Sequence, residues 1–278
     1  MGDFAELWRA VVLGLIQAAT EFLPVSSSGH LVLVPELIGE NISSLTFDVA
    51  LHLGTMVAVI AFFWRDWLRI IGLGVGDIVR HGWRLKQWDP YSLLGLWIVL
   101  GTIPAVVGGL LFKDAIEKNL REPWLVGTML IGFGVLMGAL DRWGGTVGKL
   151  LDVTLGRAVI IGVAQAMALV PGVSRAGVTI TAARGLGFER AAAARFSFLL
   201  SAPAVLGAGV LQFSEALGSD ETLSWGPLML GAFVSAVAGA LVIRWLLAFL
   251  QSGTLWPFVW YRIALGLVVL SATATGLI

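Results

Sequence analysis

The chain has 278 residues, 58% of them hydrophobic and 13% charged, where a soluble globular domain carries about 25% charged residues. Its 18 Lys+Arg balance 18 Asp+Glu, which argues against a basic nucleic-acid surface and against an acidic disordered tail. Cysteine is absent, so disulfides, thiolate catalysis and Cys-based metal sites are ruled out, and a mean hydropathy of +0.89 makes lipid the main solvent.

Residues Met1 to Glu6 offer no basic region and no small-residue cleavage site ahead of the apolar stretch, so the first helix is expected to be retained. Apolar stretches of spanning or near-spanning length fall at about 47–64, 92–112, 124–140, 196–213, 226–247 and 257–278, which predicts an all-α polytopic membrane protein with about six transmembrane helices. Four shorter stretches, at roughly 7–22, 28–39, 156–169 and 174–187, meet in pairs at Pro24 and Pro171 among Ser and Gly. Proline disfavours the helical conformation in the residue before it, so each pair reads as two re-entrant half-helices. Irregular backbone at that depth survives only where protein or a watery cavity satisfies it. The stretch 65–91, with Trp67, Trp83 and Trp88 among its charges, suits a helix lying in the interface.

The order half, half, span, span, span then recurs, dividing the chain into 1–150 and 151–278 within one membrane domain. Gly14-Leu15-Ile16-Gln17-Ala18 matches Gly162-Val163-Ala164-Gln165-Ala166, and Val25-Ser26-Ser27-Ser28-Gly29 matches Val173-Ser174-Arg175-Ala176-Gly177 at the same separation. Each half makes an odd number of crossings, so the second is expected to be inserted upside down relative to the first. The loops at 65–91, 141–156 and 188–195 hold nine Arg and Lys, including Arg65, Arg80, Arg142, Lys149, Arg190 and Arg195, whereas the opposite side has mainly Lys113, Lys118 and Arg121. The first set is expected to be cytoplasmic, with both termini outside.

Polar residues gather at the two breaks. Gln17 and Glu21 share a helix face, and Ser26-Ser27-Ser28-Gly29-His30 follows Pro24; the second break reads Pro171-Gly172-Val173-Ser174-Arg175 and runs on to Thr179. Inverted symmetry would bring Glu21 and His30 opposite Arg175 near the midplane. An ionised Glu or Arg at the centre of a span costs about 2.5–3.5 kcal/mol, so the pair needs compensation. One explanation is a plain ion pair tying the halves together, but a buried pair is weak support for stability. The other is a ligand. The second half-helix of each pair starts at the break, directing free N–H groups and a positive dipole end into the bilayer, where an anion would bind.

Arg175 is suited to fork onto phosphate oxygens, with Gly172 and the hydroxyls of Ser26, Ser174 and Thr179 as further contacts for a diphosphate. Glu21 then serves as general base or holds a divalent cation, with neutral Gln17 a weaker ligand beside it. Ser27 is the preferred nucleophile, while attack by His30, or by a water that His30 delivers, stays open. Asp48 and His52 share a helix face and are placed at the interface or behind the site; Arg195, Arg244 and Arg262 lie near helix ends and are expected to snorkel.

These residues resemble undecaprenyl-diphosphate phosphatases of the bacitracin-resistance type. The family's first signature, Glu or Gln, three residues, Glu, then Phe-Leu-Pro-Val-Ser-Ser running to Gly-His, resembles Gln17 through His30, and its Pro-Gly-x-Ser-Arg-Ser-Gly-x-Thr resembles Pro171 through Thr179. Similar segments occur at Phe47 to Thr55, Phe63 to Arg65, Arg195 to Ser201 and Tyr261 to Gly266, so the likeness covers nearly the whole chain. The resemblance implies removal of the terminal phosphate from a C55 isoprenoid diphosphate with a divalent cation, Mg²⁺ or Ca²⁺, regenerating the carrier of cell-wall polymers. It implies roles for Gln17, Glu21, Ser27, His30, Ser174, Arg175 and Thr179.

Two positions depart from the usual pattern. Ala176 stands where the family usually has Ser, which removes one hydroxyl, and Gln17 leaves Glu21 as the site's lone carboxylate. A different lipid phosphatase class shares Ser-Gly-His but needs a later His; at that spacing after Arg175 the chain has Thr181, and no His follows His81. The implied partners are the lipid substrate and the bilayer of the cell membrane, without nucleic acid, and the oligomeric state is left open, a homodimer among the options. The competing reading is a transporter or flippase of an anionic lipid, which broken helices and an inverted repeat would also suit.

Overall fold

The computed structural model describes residues 2–27, 29–30, 45–120, 122–217 and 225–278. Among the described residues ten α-helices run in chain order: α1 (Gly2–Phe22), α2 (Leu45–Phe62), α3 (Trp64–His81), α4 (Pro90–Asn119), α5 (Pro123–Trp143), α6 (Leu155–Met167), α7 (Arg175–Gly185), α8 (Arg190–Leu217), α9 (Trp225–Phe249) and α10 (Trp256–Ala274). There is no strand among the described residues, only an isolated bridge between Gly148 and Phe188. An all-helical chain follows from its solvent, because lipid offers backbone groups no partner and a helix satisfies them internally.

Among the described residues four helices are long and apolar enough to cross a membrane, over Pro90–Phe112, Pro123–Trp143, Trp225–Phe249 and Trp256–Ala274. They correspond to four of the six expected spans. A fifth, Thr46–Phe62, runs into α3 with a 71° bend. The sixth expected span lies inside α8. Outward faces are apolar throughout, as Val99, Leu110, Phe233, Leu241 and Trp260 illustrate, each at least half exposed, which in a lipid-soluble protein is the contact with acyl chains.

The bend at Phe63 sends α3 sideways. Asp66 and Ile70 face inward while Leu68, Ile71, Val75 and Ile78 are exposed, an amphipathic pattern that fits the interface helix expected over 65–91. Within that stretch Trp83 is exposed but Trp88 is buried, its Nε1–H donated to the Gly82 carbonyl, so Trp88 packs and does not anchor in lipid.

The first helix corrects an expectation. α1 is a continuous 21-residue helix ending at Phe22, about 31 Å at 1.5 Å per residue, and so no half-helix by length. The charged residues Asp3, Glu6 and Arg9, which interrupt the apolar pattern, are simply its outer turns. α6 and α7 are short, 13 and 11 residues, as expected for the second pair. The expected half-helix at 28–39 lies outside the described residues except for 29–30, as do the side chains of Lys113, Lys118 and Arg121.

Helices touch at small residues. A Cβ on Gly162 of α6 would overlap the Gly101 backbone of α4, and Gly127 of α5 and Gly266 of α10 also face each other, each Cβ within 3.1 Å of the other's carbonyl oxygen. At one end of the molecule the three Arg-rich loops converge. Asp141, 2% exposed, accepts from Arg190 Nε at 2.6 Å and the Leu255 amide at 3.1 Å, with Arg184 Nε at 3.3 Å. Arg195 reaches Asp66 with both oxygens within 2.9 Å, so it is paired and does not snorkel freely.

Candidate active site

Both helix breaks adopt the same unusual backbone. Ser26 (φ 77°) and Ser174 (φ 70°) are the non-glycine residues with positive φ among those described, and they occupy matching places after Pro24 and Pro171. Such a conformation costs on the order of 1–3 kcal/mol and persists only where the surroundings over-determine it. Each serine caps the segment that follows: Ser26 Oγ accepts the Gly29 amide at 3.4 Å and Ser174 Oγ the Gly177 amide at 3.1 Å. Serine at these positions therefore answers first to the turn.

The breaks bring the two charged residues together across 154 positions of chain. Arg175, at the first position of α7, donates Nη2 to Glu21 Oε1 at 2.5 Å, and Gln17 one turn earlier on α1 donates its amide to Oε2 at 3.3 Å. Glu21 is 9% exposed and the Arg175 side chain 17%. The other terminal nitrogen, Arg175 Nη1, is buried and has no hydrogen-bond partner among the described residues. A guanidinium N–H beside the opening amides of a helix is an arrangement that can bind an anion. Glu21 and Arg175 line a tight crevice together with Phe22, Met56, Val59 and Val205 from α1, α2 and α8.

Two contributors were not foreseen as such. His52 of α2 gives its Nδ1–H to the Asp48 carbonyl at 2.8 Å, which turns Nε2 toward Glu21 Oε2 at 3.9 Å. Tyr261 of α10 bonds His30 Nε2 at 2.6 Å and stacks on it with rings 8° from parallel. Since His30 Nδ1 bonds the Ser26 carbonyl at 2.8 Å, its Nδ1 carries the proton and the Tyr261 hydroxyl donates to Nε2. The signal for Tyr261 was the segment Tyr261 to Gly266, whose likeness to the family was noted without a role.

Other expected site residues are placed differently. His30 faces Tyr261, with no bond to Glu21 or Arg175 among the described contacts. Ser27 is half-buried and begins the segment after the first break. Thr179 is fully buried, its hydroxyl bonded to the Arg175 carbonyl at 2.7 Å and to Ser197 Oγ at 2.6 Å, so it braces α7 against α8. Gly172 has φ 91° and a Cβ there would strike the Val126 carbonyl, so its demand for glycine comes from the turn. Arg262, expected to snorkel, is 1% exposed and turned inward.

No group of three or more His, Cys, Asp or Glu side chains is assembled among the described residues. Glu21 Oε2 and His52 Nε2 offer a cation two ligands at most. That suits an ion arriving on a phosphate, which supplies oxygens of its own, and not one caged by protein.

Apolar helical spans packed around a buried acid–guanidinium pair at two strained helix breaks define an integral membrane protein. The chain belongs to the family described as Bacitracin resistance protein BacA, which it matches over residues 10–268. It is 48% identical over 263 residues to a protein of Desulforudis audaxviator, covering 95% of this chain and 96% of that one. It is 42% identical over 284 residues to one of Nocardioides sp. (100% and 99% covered) and 45% identical over 277 residues to one of Trichlorobacter lovleyi (98% and 99%). All three relatives carry the name undecaprenyl-diphosphatase.

Proposed function

We propose that this chain hydrolyses undecaprenyl diphosphate within the plasma membrane, releasing inorganic phosphate and returning the monophosphate as lipid carrier for cell-wall synthesis. The observation that carries the reading is Arg175, which holds Glu21 with one nitrogen and keeps the other, buried and unpartnered, for a ligand. The relatives' shared name supplies the substrate, and the apolar walls of the cleft suit the first isoprene units of its tail.

In this mechanism the terminal phosphate takes Arg175 Nη1 and the free amides that open α7, so charge is met where it grows in transfer. Glu21, oriented by Gln17 and Arg175, accepts the proton of the Ser27 hydroxyl as Oγ bonds the terminal phosphorus and the bond to the bridging oxygen breaks. The lipid monophosphate leaves, and water then cleaves the phosphoserine. A divalent cation held by Glu21 and His52 would neutralise phosphate charge when present. We also read residues 1–150 and 151–278 as inverted halves; the matching serine turns at Ser26 and Ser174 support this.

The test is phosphate release from a polyprenyl diphosphate by purified protein in detergent, where no leaflets exist and transport gives no signal. Glu21→Ala, Ser27→Ala and Arg175→Ala should each lower kcat/KM by about 100-fold or more. Parental rates in all three would remove these residues from the chemistry.

A further inference from the structure

Arg262 of α10 is buried in the middle of the membrane domain, yet its bonding partners are neutral. It donates through Nε to the Leu130 carbonyl at 3.3 Å, through Nη1 to Pro24 at 3.4 Å, and through Nη2 to Gly172 at 2.9 Å and Val173 at 3.0 Å. No carboxylate is paired with it among the described residues. A buried cation given only carbonyls is a costly way to fill space, and an apolar side chain would pack there more cheaply.

What the arrangement achieves is a bridge. Pro24 belongs to the first break and Gly172 and Val173 to the second, so one planar fork holds main chain from both. Of the carbonyls it grips, Pro24 lies three residues after Glu21, Gly172 and Val173 lie three and two before Arg175, and each of these three precedes a strained serine by no more than two positions. Neighbouring glycines leave room for it: a Cβ on Gly177 would sit 2.9 Å from Arg262 Nη1, and one on Gly134 3.2 Å from its Cβ.

We propose that Arg262 is a positioning residue for the hydrolysis: it locks the two helix breaks in register, so that Glu21 from one and Arg175 from the other close on the same phosphate. This rests on the hydrolase reading above. Arg262 does not touch the phosphate. It acts through where it holds Arg175 and Glu21, and loss of the fork lets two independently strained turns drift apart. Misplacement by about 1 Å is enough to cost on the order of 100-fold in rate.

The experiment uses full-length protein in detergent, with phosphate release as the rate and thermal melting as the check on folding. Arg262→Met is expected to lower kcat about 100-fold while KM moves less than about tenfold. Because the clamp works through Arg175, adding Arg175→Lys to Arg262→Met should cost far less than the same change in the parent. A folded Arg262→Met protein with kcat within about twofold of the parent, or losses that simply multiply in the double variant, overturns the proposal. If Arg262→Met does not fold, Arg262→Lys decides. A single ammonium lacks the fork that reaches both breaks at once, so at least a roughly tenfold loss in kcat is expected, and a parental kcat overturns it. A parent that releases no phosphate counts against the hydrolase reading itself, which keeps the two failures apart.

Discussion

Arg175 bonds Glu21 through Nη2, while its buried Nη1 has no hydrogen-bond partner among the described residues. In the proposed mechanism that nitrogen meets the substrate phosphate, which would offset an unmade buried bond costing about 1–3 kcal/mol. Tyr261 plays a quieter part. The Ser26 carbonyl fixes which nitrogen of His30 carries the proton, and the Tyr261 hydroxyl holds the other nitrogen and the direction the ring faces. Tyr261→Phe removes one hydrogen bond worth about 1 kcal/mol, so kcat should fall by about fivefold with the melting temperature barely changed. Phosphate release by the Phe variant against the parent checks this, and an unchanged kcat would leave His30 without a role in turnover.

The broken helices show why serine recurs at the turns. Ser174 must supply a cap for α7 and tolerate φ 70°, and the two demands pull apart on substitution. Ser174→Ala keeps the strain and loses the cap, a cost of about 1–2 kcal/mol, whereas Ser174→Gly loses the cap but relieves the strain. The Gly variant should therefore melt at a higher temperature than the Ala variant; the reverse order would mean that the turn is not strained. Helix contact rests on equally local demands. α6 lies so close to α4 that Gly162→Val would drive a branched side chain into the Gly101 backbone. That substitution is expected to separate the pair and lower stability by at least about 2 kcal/mol, read as a large drop in melting temperature. A Val variant melting with the parent would show that the crossing is looser than drawn.

Among the described residues of the whole molecule, the Asp141, Arg184 and Arg190 cluster, the Asp66–Arg195 pair and the surface helix α3 gather charge at one end. Asp77 ties that helix to the start of α4. Its carboxylate accepts the Ser92 hydroxyl at 2.6 Å and the Asp89 amide at 2.7 Å, and these bonds hold its pKa below the usual 3.8, with His81 and Arg80 adding to the shift. A carboxylate whose folded pKa is depressed stabilises the fold above the unfolded value and loses that contribution as pH falls through the folded one. Asp77→Asn should thus melt below the parent at neutral pH, with the gap closing as pH drops beneath about 3.8. A gap that stays constant over that range would assign the effect to packing and not to the charge.

Much of this was readable from residue order alone. A chain with 58% hydrophobic residues gathered in uninterrupted runs of spanning length reads as a helical membrane protein, since each such run satisfies its own backbone in lipid as a helix. Two Pro-centred breaks holding Glu21 and Arg175 had to be compensated, and the repeated Gly, Gln and Ser spacing pointed each break at the other. What sequence patterns could not show was depth. Arg262 lies six residues into α10 and reads as a snorkelling end, but the turn before α10 is held down by Asp141 bonding the Leu255 amide, and the arginine is thereby carried inside. His52 and Tyr261 likewise sit on apolar helices where periodicity assigns a face without saying what lies across it. Composition and local stiffness act through neighbours along the chain; which nitrogen meets which oxygen across 154 or 238 positions is decided only when the helices pack.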